Sequence, residues 1–205
     1  MSQAAIDESS LLSVDHVRAL LTWIQEGSPG SVFPCLGFMA GTALSPGEVA
    51  TVRVQDVTPL DEEFGEVLVR VGEARRIPVS PALVGVLRRW IDGADLMAGD
   101  LLFPGERGMS LASPEYLGGR RPARQAVLSP DEVQAGLGEQ VSSLRDSCMD
   151  RWLESSVPAW VGAEWAGVSA SWIALRYPHR FRPEDVEIDW DHLEEIMALP
   201  DVPER

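Results

Sequence analysis

One stretch of this chain alternates apolar and polar residues with a period of two, and the segments around it repeat at helical spacing. Residues 66–71 (EVLVRV) and 75–79 (RRIPV) flank Gly72-Glu73-Ala74, the pattern of a β-hairpin. Residues 14–26 place Val14, Val17, Leu20, Leu21 and Ile24 on one helical face, with Ser13 as N-cap. The apolar run 31–42 reads as a buried helix. Ser45-Pro46-Gly47-Glu48 is a capping box with proline at the first helical position, and Ser80-Pro81 starts another helix running to about Ile91. LLFPG at 101–105 is a short apolar segment ending in a turn. Residues 105–128, rich in Gly, Pro, Ser and Arg, predict a loop. Helices come next at about 130–137, 143–156 and 158–166, the last ended by Gly167, and a short helix at about 169–176 leads to Tyr177. Helices, one small hairpin, then helices again predict an α+β domain that is mostly α.

The expected organisation is a flexible leader at 1–12, a domain at 13–182 and an acidic tail at 183–205. That tail holds nine Asp or Glu against one Arg, and a short amphipathic docking helix is expected around His192–Leu199. The tail therefore suits contact with a protein partner or a second copy of the chain.

Composition narrows the function classes. No run of about 18 apolar residues suggests a membrane span, and the acidic N-terminus MSQAAIDESSLL is unlike a signal peptide. Cys35 and Cys148 fall on predicted apolar helix faces, which suits buried thiols in a reduced, cytoplasmic setting; neither a metal nor a cofactor is expected. The net charge is −15, and all 17 basic residues are arginine. A chain so acidic is repelled by phosphate unless a local basic patch overcomes the field. Arg120, Arg121 and Arg124 form one candidate DNA-binding patch; the same residues could simply solvate a loop.

Two stretches carry a family resemblance. GTALSPGEVATVRVQDV (41–57) is similar to the T-G-L-R-x-x-E stretch of tyrosine recombinases (phage integrases). RRIPVSPAL (75–83) and LLFPG are similar to the family's hairpin end, the helix after it and its L-F-P segment. SSLRDSCMDRWLESSVPAWVGAEWAGVSASWIALRYPH (142–179) resembles the H-x-L-R box, the helix junction ending in V-P, a G-H pair and the nucleophilic tyrosine. Gly167 lies ten residues before Tyr177, the family's common spacing. The resemblance covers about residues 14–179 and implies the catalytic-domain fold. Family members also carry an upstream helical domain that completes the grip on DNA, for which a match beginning near residue 14 leaves no room.

The resemblance also implies a chemistry: a tyrosine attacks a DNA phosphodiester, two arginines and histidines hold the developing charge, and a hairpin lysine protonates the leaving oxygen. The nucleophile position is Tyr177 and the second arginine position is Arg145. The first arginine position is Ser45, the two histidine positions are Ser142 and Val168, and the lysine position falls at or beside Glu73. Arg75 and Arg76 are near, but arginine is a poor proton donor at neutral pH. Losing one such donor costs roughly 10²–10³ in rate, so a degenerate, catalytically inactive site is expected. Ser45 also has an ordinary use as an N-cap. Tyr177 can equally be a core tyrosine, and Arg145 can pair with Asp146, Asp150 or Glu48. Three functions compete: an inactive recombinase-like protein acting through protein contacts, a weak DNA-binding module without cleavage, and a residually active recombinase using Tyr177.

Overall fold

The computed structural model describes residues 4–27, 32–58, 64–105 and 120–181. Helix α1 (Val14–Gly27) starts where the Ser13 hydroxyl accepts from the His16 amide at 3.1 Å, and it buries Val17, Leu20 and Ile24. Val14, expected on the same face, is exposed at the helix edge. Helix α2 (Val32–Thr42) is apolar all round and packs against α1 and three later helices, which is why it needs no polar face. The short α3 (Pro46–Val49) carries the predicted capping box in full.

Three antiparallel strands come next, in the order β1 (Val57–Thr58), β2 (Gly65–Val69) and β3 (Arg75–Val79). Val57 pairs with Val67, and Val67 with Ile77, so Val57, Val67, Val69, Ile77 and Val79 all face the core. The expected hairpin thus gains a third, two-residue strand, too short to show an alternating pattern. Helix α4 (Pro81–Gly93), capped by Ser80, packs on α2. In LLFPG, Leu102 and Phe103 are buried, and the Phe103 ring lies 5.4 Å from that of Phe38.

Part of the expected loop at 105–128 is helical: α5 spans Arg120–Val127 and packs against α1. Pro122 sits in its first turn, where no intrahelical N–H is required. After it come α6 (Pro130–Gln134), α7 (Ser142–Glu154), α8 (Ala159–Ala166) and α9 (Ala170–Arg176). The domain is mostly helical with one small sheet, as expected.

Residues 4–12 do not form a loose leader. The Leu12 side chain is buried, its amide donates to the Ser147 hydroxyl at 2.8 Å, and the Ile6 amide donates to the Arg176 carbonyl at 2.8 Å. The tail at 183–205 and the docking helix expected in it lie outside the described residues. Among the described residues no helix is long and apolar enough to cross a membrane, and no group of His, Cys, Asp and Glu is placed to hold a metal.

Candidate functional site

The site grows from the capping box of α3. Ser45 donates its amide (2.8 Å) and its hydroxyl (2.7 Å) to Oε2 of Glu48, which fixes the carboxylate over the helix start. Two guanidiniums then close on that carboxylate. Arg145, from α7, reaches Oε2 at 3.2 Å, and Arg75, from β3, binds Oε1. All three side chains are largely buried: 7% of each arginine and 14% of Glu48 remains exposed. Burial alone would raise the Glu48 pKa, but hydrogen bonds from Arg75 and Ser45 outweigh it and hold the carboxyl below its usual value.

The same arginines finish α8. A helix leaves its last four carbonyls without intrahelical partners. Here Ala163 accepts from the Val168 amide at 3.0 Å and Glu164 from the Gly167 amide at 3.2 Å. Trp165 accepts from Arg75 Nε at 2.9 Å, and Ala166 from Arg145 Nη2 at 2.7 Å. Gly167 has φ +67°, the left-handed turn that ends the helix, and an added Cβ there would lie 2.8 Å from Arg75 Cζ. Glycine is thus required twice, by the backbone and by the guanidinium lying on it. Above this assembly opens a cavity of about 500 Å³ whose lining includes Glu48, Glu73, Arg75, Glu164, Gly167 and Val168. Much of the arginines' donor capacity is spent on Glu48 and the helix end, although the buried Arg145 Nε has no partner among the described residues.

The structure therefore brings Ser45, Glu73, Arg145 and Val168 to or beside one cleft. Tyr177 does not line that cavity. It is fully buried in the adjoining apolar cluster with Ala43, Met149, Ala163, Ala166 and Ile173, and Ala163 and Val168 belong to both cluster and cavity wall. Its hydroxyl lies 3.2 Å from the Asp146 carbonyl and 3.3 Å from Asp146 Oδ1, and it can donate to either. Burial first, and the Asp146 charge second, push its pKa well above that of an ordinary phenol. Ser142 also stands apart, half-buried at the start of α7 with its hydroxyl 3.2 Å from Gln140 Oε1. Arg145 takes Glu48 among its expected partners, while Asp146 pairs with Arg176, and Asp150 with His179 and Arg180.

The members of the candidate basic patch differ in exposure. Arg121 is exposed, but Arg124 is buried and donates to the carbonyls of Leu137 (2.8 Å) and Val133 (3.4 Å). Arg124 serves the fold; the Arg120 side chain lies outside the described residues.

Two features are invisible to motif spacing. One is Arg75 as the second guanidinium in the cleft. The other is Ala43, at the glycine position of T-G-L-R, which keeps a positive φ of 52°. The hairpin register, which puts Arg75 opposite Val69, was the available signal for the first.

No family model matches the chain, and no curated protein matches it in sequence. Solved structures do match in fold. XerA recombinase aligns at TM-score 0.65 and 17% identity, over 94% of this chain and 66% of that one. XerH site-specific recombinase bound to its difH substrate aligns at 0.65 and 16%, over 93% and 53%. The Tn1549 transposon integrase in complex with circular intermediate DNA aligns at 0.64 and 13%, over 94% and 67%. The chain spans between about half and two thirds of the length of these structures. With the helical packing and small sheet in place around the Glu48 cleft, the chain has the catalytic-domain fold of the tyrosine recombinases.

Proposed function

We propose that this is a recombinase-like protein that does not cut DNA and acts through contacts with other proteins, in the regulation of DNA recombination or of mobile elements. The burial of Tyr177 carries this reading. A nucleophilic tyrosine must reach a phosphodiester and lose its proton as it attacks; this one is enclosed, and its hydroxyl is held beside a carboxylate. Two further facts support it. No lysine exists anywhere in the chain, and Ser45 stands at the first arginine position with its hydroxyl spent on Glu48. The net charge of −15 favours protein partners over nucleic acid. The tail at 183–205 is the natural contact element, toward a second copy of the chain or a true recombinase. Buried free thiols at Cys35 and Cys148 suit a reduced, cytoplasmic setting.

A nicked suicide duplex tests the reading. We expect no covalent protein–DNA product; a phosphotyrosyl adduct that disappears in Tyr177→Phe would overturn it. Duplex binding tighter than the roughly 10⁻⁴–10⁻⁶ M of non-specific binders at physiological salt would replace it with a DNA-binding role, and Arg121→Ala is then the first variant to make.

A further inference from the structure

The segment ahead of α1 is bonded to the end of α9. The Ile6 amide donates to the Arg176 carbonyl, and Arg176 Nη1 donates back to the Ala4 carbonyl at 2.8 Å. Arg176 Nη2 reaches Asp146 Oδ2 at 3.0 Å, and Asp146 is the residue that holds the Tyr177 hydroxyl. The Ile6 side chain packs against the cluster that encloses Tyr177. Further along, the Leu12 amide is tied to Ser147, the next residue of α7. Residues 4–12 are thus fastened to α9 at one end and to α7 at the other, with Tyr177 and Asp146 among the groups they secure.

What lies beneath is a short element, held also from its far side, where His179 and Arg180 bind Asp150 of α7. Helix α9 has seven residues, of which Ile173 alone is fully buried. A helix that short is not stable unaided, and its packing within the domain is mainly against α8. Elements with few buried contacts open locally, well before the whole domain unfolds.

We infer that residues 4–12 form a strap that keeps α9 shut over Tyr177, so that releasing the strap exposes Tyr177 while the rest of the domain stays folded. Its functional meaning rests on the reading of Tyr177 as the counterpart of the recombinase nucleophile. The strap makes that tyrosine's concealment a reversible state.

The test uses the full chain with Tyr116→Phe, which leaves Tyr177 as the single tyrosine. Nitration by tetranitromethane is compared with and without Ile6→Asp, a change that puts a charge into the apolar contact. The expected result is a rise in Tyr177 nitration of about tenfold or more, with amide exchange in α2 and the sheet unchanged. Unchanged nitration overturns the strap, as does nitration that appears only when α2 and the sheet also lose protection. If Ile6→Asp does not fold, exchange in low urea on the parent protein decides. The amides of Ile6 and Tyr177 should open together and before the sheet; opening of Tyr177 only with the sheet overturns the proposal. A nicked-duplex assay on the Ile6→Asp protein separates the two proposals. Cleavage there would overturn the inactive reading and leave the strap standing, whereas failed exposure removes the strap and leaves inactivity standing.

Discussion

Of the carboxylates gripped by arginine in this domain, Glu48 and Asp146 differ most in what lies beside them. Glu48 holds Arg75 and Arg145 at the floor of an open cleft. Asp146 holds Arg176 and the Tyr177 hydroxyl against a filled apolar cluster. The recombinase reaction needs its cations and its tyrosine at one phosphate. Here Arg75 lines the cleft with Glu48, Arg145 is bound behind it, and the tyrosine is buried in the core. The difference shows that the same pairing of a carboxylate with arginine can line an open cleft in one place and close a filled core in another.

The largest expected effect comes from Glu48→Ala. It leaves two buried guanidiniums without their shared counter-ion, and it removes the carboxylate half of the α3 capping box. Breaking a buried pair from one side costs about 3–5 kcal/mol, which a urea melt would report; a loss below about 1 kcal/mol would mean the two arginines are solvated after all. Next is Gly167→Ala. The left-handed backbone costs an L-residue about 1–2 kcal/mol, and the new methyl would meet Arg75 at 2.8 Å. We expect a loss of about 2 kcal/mol, reduced in the Arg75→Ala background if the guanidinium is the obstacle. Unchanged cost in that background would assign the penalty to the backbone alone.

On the other side of the comparison, Tyr177→Phe should cost only about 1 kcal/mol, the worth of one hydrogen bond, because the ring stays packed. In the Tyr116→Phe protein the remaining phenol should stay protonated past its ordinary value of 10, since burial and Asp146 both raise its pKa. Tyrosinate absorbance that rises with a midpoint near pH 10 in the folded protein would contradict this. The smallest effect is acidic. Glu48 and Asp150 have depressed folded-state pKa values, so their contribution is present in full above the unfolded values of 4.5 and 3.8. It fades as the pH falls through the folded values. Stability between pH 5 and 8 should therefore be nearly flat on their account, with the loss confined to pH below about 5. A decline already under way at pH 6 would point to other groups.

Much of the fold was legible because its punctuation is local. Ser45-Pro46, Ser80-Pro81 and Ser129-Pro130 each start a helix through a side-chain cap, and the hairpin alternates cleanly. Helix α5 was hidden because the Gly, Pro and Ser composition of its neighbourhood outweighed the short apolar set Ala123, Val127 and Leu128. At the site, motif spacing located Arg145, Glu48 and Tyr177 along the chain. It could not tell which way the side chains point: Tyr177 turns inward because Asp146, one position after Arg145, offers its hydroxyl a partner inside the fold. Arg75 entered the cleft through strand register, a property of pairing that one strand alone does not display.

The end of α8 also says something about the order of folding. Its last carbonyls wait for Arg75, 90 positions earlier, and Arg145 waits for Glu48 across 97 positions. Contacts of such separation carry a large loop-closure cost before they return anything, so we expect the cleft to assemble late, after α2, the hairpin and α4 have met. Interactions that form after the transition state govern how fast a domain comes apart and leave its refolding almost untouched. Glu48→Ala should accordingly show its whole deficit in the unfolding limb of a stopped-flow chevron, and a matching slowdown in refolding would place the cleft among the first structures to form.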